Sequence, residues 1–469
     1  MFKKIILLNI FIYMMMAPAL AFEGNKADSA EYPSPDKVLP VKQEGADYIV
    51  SGSVEKNIDL TLENCIELAL GNNPAITAAF QEVLASDARI KQVWSNYFPK
   101  FSWQTGYTRL RQLQLSDALG ENLVFNYFLL GQVTLQQMLY DFGVTQNEAT
   151  IKRLNYEGSK SSLTGVINDV IYKTKDAYYN LLLAYENERV AQDTVDKFQL
   201  FYDQAKAFYE IGLNPKVDVT IAESNLSNAK LTLIQANNGV NLAIAKLNNV
   251  MGVPYIEKYS ITDRLQYQPC NVTFNEAIDI ARGSRPELKL AELKVEAAHQ
   301  TLNLSKKAYF PTLSVEGQFQ VGGKSFTSNY GYNFGGYLNF PVINGMKIRN
   351  QIKESRYLYD KEIANAINTQ NNIYLEIQNA FLKLEEKKNQ MPVASLQVKQ
   401  AKENYDLSYG RYRVGEASPT ELKDSQIMYE NAQLTYYKAL YQYNSAKAEL
   451  EKAVGKNIIS SDEVINLAP

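Results

Sequence analysis

The sequence predicts an α-dominated, duplicated fold interrupted by two membrane-type β-hairpins. Three observations carry that expectation. An internal repeat spans most of the chain, heptad runs are too long for an ordinary domain, and four segments have a hydrophobic period of two.

The repeat is read residue by residue. Thr61-Leu62-Glu63-Asn64-Cys65-Ile66-Glu67-Leu68-Ala69 aligns with Thr273-Phe274-Asn275-Glu276-Ala277-Ile278-Asp279-Ile280-Ala281 at an offset of 212. The same offset carries Asn73-Pro74 onto Arg285-Pro286, and Tyr97-Phe98-Pro99 onto Tyr309-Phe310-Pro311. Later, Gly143 aligns with Gly345, Gly212 with Gly415 and Gly252 with Gly455, at offsets of 202, 203 and 203. About ten residues are therefore missing between Pro311 and Gly345, which predicts an exposed loop there. Each copy begins with a helix of about 37 residues ending at Tyr-Phe-Pro. A Gly-rich aromatic stretch follows, then about 70 helical residues, a glycine and about 40 more.

The helical segments are heptads. Val219, Ala222, Leu226, Ala229, Leu233, Ala236, Val240, Ala243, Leu247 and Val250 step by three and four. Leu422, Ser425, Tyr429, Ala432, Tyr436, Ala439, Tyr443, Ala446, Leu450 and Ala453 repeat the pattern. A partner seam runs through Ile377, Leu384, Met391, Val398, Tyr405 and Tyr412. Alanine at alternate seam positions lets two axes approach while the larger residue fills the facing hole. Gly143 to Gly212 is 69 residues, about 100 Å as one helix. Two shorter helices stacked end to end would match it, so a protomer is expected as a wall about 100 Å tall.

After Pro99 the period changes to two. Phe101, Trp103, Thr105 and Tyr107 alternate with Ser102, Gln104, Gly106 and Thr108. Phe125, Tyr127, Leu129, Val133 and Leu135 are expected on one face of the next strand. Leu313, Val315, Phe319 and Val321, then Phe334, Leu338, Phe340 and Val342, form the apolar faces of the second pair. Hairpin strands are placed at about 100–140 and 312–343, with tips near 114–123 and 324–332. One face is aliphatic and aromatic and the other carries Gln, Asn, Ser and Thr. A soluble sandwich also alternates, but these faces in an exported chain suit a barrel with lipid outside and water inside. Four strands cannot close a barrel and open edges are not viable in lipid, so oligomerisation is required. Trp94, Trp103 and tyrosines near strand ends are candidates for the membrane interface.

Residues 1–21 read as a secretory signal, with Lys3 and Lys4, an apolar run from Ile5 to Met16 and Ala19-Leu20-Ala21 for cleavage. Phe22 follows, so no lipid anchor is expected. Residues 22–57 form a polar leader, 58–255 and 271–456 the two repeats, 256–270 their linker and 457–469 a tail. The chain has 48 Lys and Arg against 51 Asp and Glu, which argues against nucleic-acid binding. His299 is the one histidine and Cys65 and Cys270 are the two cysteines, so no catalytic centre, metal site or cofactor is expected. The cysteines could pair in an oxidising compartment, although Cys65 aligns with Ala277. The 32 tyrosines are a surplus. A secreted trimeric coiled-coil adhesin or stalk explains the heptads but neither the hairpins nor the duplication.

Taken together, residues 58–456 resemble the TolC-like family of outer-membrane efflux and secretion channels. The specific elements are the repeated Asn-Pro/Arg-Pro and Tyr-Phe-Pro pattern, with Phe208-Tyr209-Glu210-Ile211-Gly212-Leu213 and Arg411-Tyr412-Arg413-Val414-Gly415-Glu416. The resemblance implies a homotrimeric twelve-stranded outer-membrane barrel continuous with a periplasmic α-helical barrel, a passive exit duct with no enzymatic step. It implies docking of a periplasmic adaptor and an inner-membrane transporter at Ile211, Gly212, Leu213, Val414, Gly415 and Glu416. It also assigns the constriction acids to Glu421 and Asp424, six and nine residues after Gly415, and a gate latch to Tyr412 and Asp218. The family's latch arginine is replaced by Ala417, which implies a weaker or different closed-state lock. Glu421 and Asp424 share one helix face. Three copies of the pair would form a ring that favours cations.

Overall fold

A computed structural model of the chain describes residues 60–111, 124–213, 215–254, 261, 263–267, 269–323 and 329–456. The signal segment, the leader, the C-terminal tail and the first hairpin tip lie outside the described residues, as does most of the second tip.

Each copy opens with two helices rather than one. Helix α1 (Leu62–Asn72) ends at Asn73 and α2 (Pro74–Trp94) begins at once. In the second copy α5 (Phe274–Ser284) ends at Arg285 and α6 (Pro286–Lys307) follows. The expected 37-residue helix is broken in both copies by the same cause. The residue before proline is pushed out of the helical region, and Asn73 and Arg285 sit at ψ 120° and 113°. Proline has no N–H to lose at the first helical position, so it starts the next helix at little cost. Thr61 and Thr273 cap the copies through their hydroxyls, and Glu276 completes a capping box with Thr273.

The strands come next: β1 (Lys100–Arg111) and β2 (Val124–Tyr140), then β3 (Thr312–Gly323) and β4 (Asn329–Asn339). They form one antiparallel sheet in the order β1-β2-β3-β4, so β1 and β4 are its edges. Side-chain rows run straight across it. Lys100, Gln136, Glu316 and Gly335 are paired in register, as are Ser102, Thr134, Gln318 and Asn333. The neighbouring rows are Phe101, Leu135, Gly317 and Phe334, then Trp103, Val133, Phe319 and Tyr332. Polar and apolar rows therefore alternate, as the period of two predicts.

Two details differ. The register shifts between Leu129 and Gly131, where β2 holds one extra residue. A one-residue insertion moves every later side chain to the other face. Tyr127 and Leu129 thus pair with Thr108 and Gly106 on the face of Gln104 and Gln132, and Phe128 joins Tyr107 instead, ring centroids 4.9 Å apart. The expected single face of Phe125, Tyr127, Leu129, Val133 and Leu135 is therefore split by register. The last strand also stops at Asn339, so Phe340 and Val342 lie beyond it. Part of the missing length therefore falls in strand β4, 11 residues against 17 in β2, rather than in a loop alone.

Two helices of 67 residues follow the hairpins, α3 (Val144–Glu210) and α7 (Lys347–Arg413), each about 100 Å long. Each turns back into a 36-residue helix, α4 (Lys216–Met251) and α8 (Pro419–Val454). Every seam position expected on α4 and α8 is buried or half-buried. The short helices do meet end to end. Asn73 Nδ2 donates to Val250 O at 2.7 Å, joining α1–α2 to the end of α4, and Ser284 Oγ donates to Val454 O at 2.8 Å in the second copy. Across the copies, Lys175 on α3 pairs with Glu451 on α8 at 2.6 Å, and Asn147 Nδ2 donates to Gln300 O on α6.

The sheet is anchored to α3 by Asp141, which is 1 % exposed. Its carboxylate accepts from Tyr97 Oη at 2.7 Å and from the N–H groups of Gly143 and Thr145 at 3.0 and 2.6 Å. An acid placed there satisfies free amides of the helix start and complements the helix dipole. No described helix is long and apolar enough to cross a membrane. Yet the apolar rows of the sheet are open: Trp103 is 75 % exposed and Phe101, Tyr332 and Phe334 are also exposed.

Candidate functional site

The turns at the far ends of α3 and α7 gather every site residue that the resemblance singled out. Both helices end in the same hydrogen-bonded motif. Leu213 N–H donates to Phe208 O and Gly212 N–H to Tyr209 O; Glu416 N–H donates to Arg411 O and Gly415 N–H to Tyr412 O. This termination needs a left-handed residue, and Gly212 and Gly415 supply it at φ 76° and 80°. Pro215 then precedes α4, while Ser418 caps α8 by accepting from Glu421 N–H at 3.1 Å. Ile211, Leu213 and Val414 are left 69–70 % exposed on the turns. Gly212, Gly415 and Glu416 are exposed beside them.

Tyr412 points inward. It packs with Phe198, Phe201, Leu226, Ala229 and Leu422, which ties α3, α4, α7 and α8 into one cluster. Burial raises its phenol above the usual range, and the negative charge of Asp218 adds to the effect. Tyr412 and Asp218 line one cavity of about 20 Å³ with Asn225, Pro419 and Lys423. That is room for a single water. The structure thus brings the two residues expected as the latch to one cavity, with no direct hydrogen bond between them among the described residues. Ala417 packs against the aromatic cluster.

Glu421 and Asp424 differ in their surroundings. Glu421 Oε1 lies 2.5 Å from Arg411 Nη1, and the other arm of that guanidinium, Nη2, donates to Glu416 O at 3.2 Å. Asp424 is exposed and makes no ion pair among the described residues. The pairing of Arg411 was missed by helix periodicity because the two residues lie on different helices. Folding the chain about Gly415 would have shown it, since Arg411 is four residues before that glycine and Glu421 six after.

Further along, Lys197 of α3 reaches between α7 and α8. Its Nζ sits 4.8 Å from the ring centroids of both Tyr405 and Tyr429, which are themselves stacked. Burial lowers the ammonium below its usual range, and Asp193, Asp406 and Glu430 oppose that effect. A cation between two rings is attracted by both ring faces. Leucine at those seam positions would fill the space but could not hold the cation. Burial pushes Tyr405 up to about 12. A tyrosine whose folded pKa is raised stabilises the fold fully below its unfolded value near 10 and loses that contribution as pH rises through the folded value. Tyr441, Tyr443 and Tyr178 are raised the same way, chiefly by burial. Helical signal followed by circular dichroism should therefore hold to about pH 10 and fall steeply above it. A flat profile to pH 12 would show these rings to be solvated.

His299 is half-exposed beside Tyr359 and Glu296, and Cys65 and Cys270 are buried and free. No group of three or more His, Cys, Asp or Glu residues placed to hold a metal occurs among the described residues.

Comparison with known proteins agrees with this architecture. The profile of the outer membrane efflux protein family matches residues 65–253 and 277–456, one match in each copy. The chain is 22 % identical to protein CyaE of Bordetella pertussis over 349 residues, covering 73 % of this chain and 69 % of that protein. It is 19 % identical to outer membrane protein TolC of Escherichia coli over 411 residues, covering 82 % and 80 %. The crystal structure of the Campylobacter jejuni CmeC outer membrane channel superposes with a TM-score of 0.70 at 20 % identity, covering 90 % of this chain and 94 % of that one. With a family profile matched across both copies and a channel fold reproduced over nearly the whole length, the chain belongs to the outer membrane efflux protein family and is an exit channel of the outer membrane.

Proposed function

We propose that three copies of this chain form one duct, closing a twelve-stranded barrel in the outer membrane above a twelve-helix periplasmic tunnel that narrows at the helix turns. The observation that carries this reading is the unclosed sheet. Four strands end in the open edges β1 and β4. One side of the sheet exposes an aromatic and aliphatic surface, which suits lipid, and the other a Gln- and Ser-rich one, which suits water. The tunnel helices support it. Leu231, Ile234 and Leu242 on α4, and Leu375, Leu382, Leu396 and Leu407 on α7, are exposed. Apolar residues repeated along a helix need a neighbour, and a second copy provides one.

In this reading Tyr412 and Asp218 belong to the gate. Glu421 and Asp424 line the constriction. The exposed Ile211, Leu213 and Val414, with Gly212, Gly415 and Glu416, offer an apolar tip for a periplasmic adaptor, which brings an inner-membrane transporter. The duct performs no chemistry; energy comes from that transporter. The test uses detergent-solubilised full-length protein. Trimer mass by analytical ultracentrifugation and stepwise ion conductance in planar bilayers are expected. A monomer that leaves bilayers silent would overturn the reading.

A further inference from the structure

We infer that Arg411 sets the charge of the constriction by cancelling Glu421, so that Asp424 is the acid that governs which ions enter. The inference rests on the duct reading above. Counting acids gives six negative charges in a trimeric ring. The geometry gives fewer. Arg411 Nη1 and Glu421 Oε1 are 2.5 Å apart, and Nη2 holds Glu416 O, so the guanidinium is fixed at two points across the turn. Each charge also sits where its helix favours it. Arg411 lies in the last turn of α7 and Glu421 in the first turn of α8. Ser418 Oγ accepts from the Glu421 N–H and holds the start of α8 in place.

The consequence is electrostatic rather than structural. The pair is half-exposed, at 53 % and 40 % of side-chain surface, so it contributes little to stability. Its field is another matter. Opposite charges 2.5 Å apart act at a distance as a dipole, which decays faster than the field of a lone charge. Asp424, one turn on, is exposed and unpaired among the described residues. Lys423 lies between the two acids in sequence but lines the cavity with Asp218 and Tyr412. Asp424 is left as the unbalanced charge of that helix turn.

The test has two independent readouts on the full-length protein. The first is the reversal potential in planar bilayers under a KCl gradient. Arg411→Gln should raise the potassium-to-chloride permeability ratio, on the order of two-fold for three uncovered carboxylates near a screened pore axis. Asp424→Asn should lower it. The double variant Arg411→Gln with Glu421→Gln should return to the wild-type ratio. If Arg411→Gln changes nothing, or the double variant is as unselective as Glu421→Gln alone, Arg411 does not cancel Glu421. The second readout is carbodiimide-driven amidation followed by mass spectrometry, which needs no conduction. Asp424 should react faster than Glu421 in the wild type, and Glu421 should catch up in Arg411→Gln. Equal rates in the wild type would overturn the pairing. A wild-type protein that conducts no ions overturns the duct reading instead, and the selectivity role falls with it.

Discussion

Glu451→Ala should destabilise the protein by about 3–5 kcal/mol, and Lys175→Ala by a similar amount. The two side chains are 2.6 Å apart and only 6 % and 8 % exposed, between α8 of the second copy and α3 of the first. Removing either partner takes the counter-charge, 2.6 Å distant, from an ion that is buried between the helices and has lost its hydration. Removing both should cost far less. Lys175→Met with Glu451→Leu restores volume without charge, and buried pairs replaced this way are often neutral. The comparison is made on urea unfolding midpoints of detergent-solubilised protein. If the double variant is no better than the single ones, the pair is contributing through its attraction and not merely avoiding a penalty. The pair also has a place in the duplication: it crosses between the copies, beside the contacts of Tyr441 and Ser445 with Asp176 and of Lys452 with Asp169, so loss of either charge should loosen the seam between the two helix pairs.

How much of this was legible in the sequence depends on whether the cause was local. The repeat glycines were readable because they mark positive φ. Gly143, Gly212, Gly252, Gly345, Gly415 and Gly455 all adopt it, and they are the six landmarks used to align the copies. Seam residues were readable because a period fixes their face. The break at Asn73-Pro74 was also on the page, since proline restricts its predecessor, but a continuous apolar pattern on both sides hid it. Tyr127 and Leu129 changed face because β2 carries an unpaired residue against its neighbours, and such an insertion is a property of the pairing rather than of one strand.

The tyrosine surplus is the clearest case of long-range information. Tyr405 and Tyr429 hold Lys197, Tyr437 lies under Arg189 and accepts a hydrogen bond from it, and Tyr172 faces Lys452. Tyr441 and Ser445 both donate to Asp176, which Lys246 of the first copy also approaches. Tyr178 donates to Asp263. A ring with a hydroxyl fills a seam position and also meets a charge from another helix. Which charge arrives is decided by the packing of the copies, so the residue type was visible and its reason was not. The turns behave likewise. The family resemblance, counted from the turn glycines, points to Tyr412 and Asp218 as the latch, whereas the Arg411 contact needs the two helices laid against each other.

Gly252→Ala and Gly455→Ala should show what a closer backbone approach costs at the points where the short helices meet. Both glycines end a helix in the left-handed region, at φ 74° and 78°. A Cβ there costs about 1–2 kcal/mol at either site, by the same crowding against the following carbonyl. The surroundings differ. At Gly252 a Cβ would stand 2.4 Å from Asn72 O and 2.7 Å from its carbonyl carbon; at Gly455 the nearest atom is Ser284 O at 2.9 Å. Backbone carbonyls at a helix end cannot swing aside as a flexible side chain can. The first junction would therefore open, pulling Val250 O from Asn73, with a further cost on the order of 1–3 kcal/mol. The second junction has a tighter clasp to resist it: Arg285 donates to Lys452 O and to Glu376, and Ser284 to Val454 O. Gly252→Ala should thus lower the unfolding midpoint clearly more than Gly455→Ala. Equal losses would mean that the closer approach of Asn72 O at Gly252 adds nothing to the strain and crowding that the two glycines share.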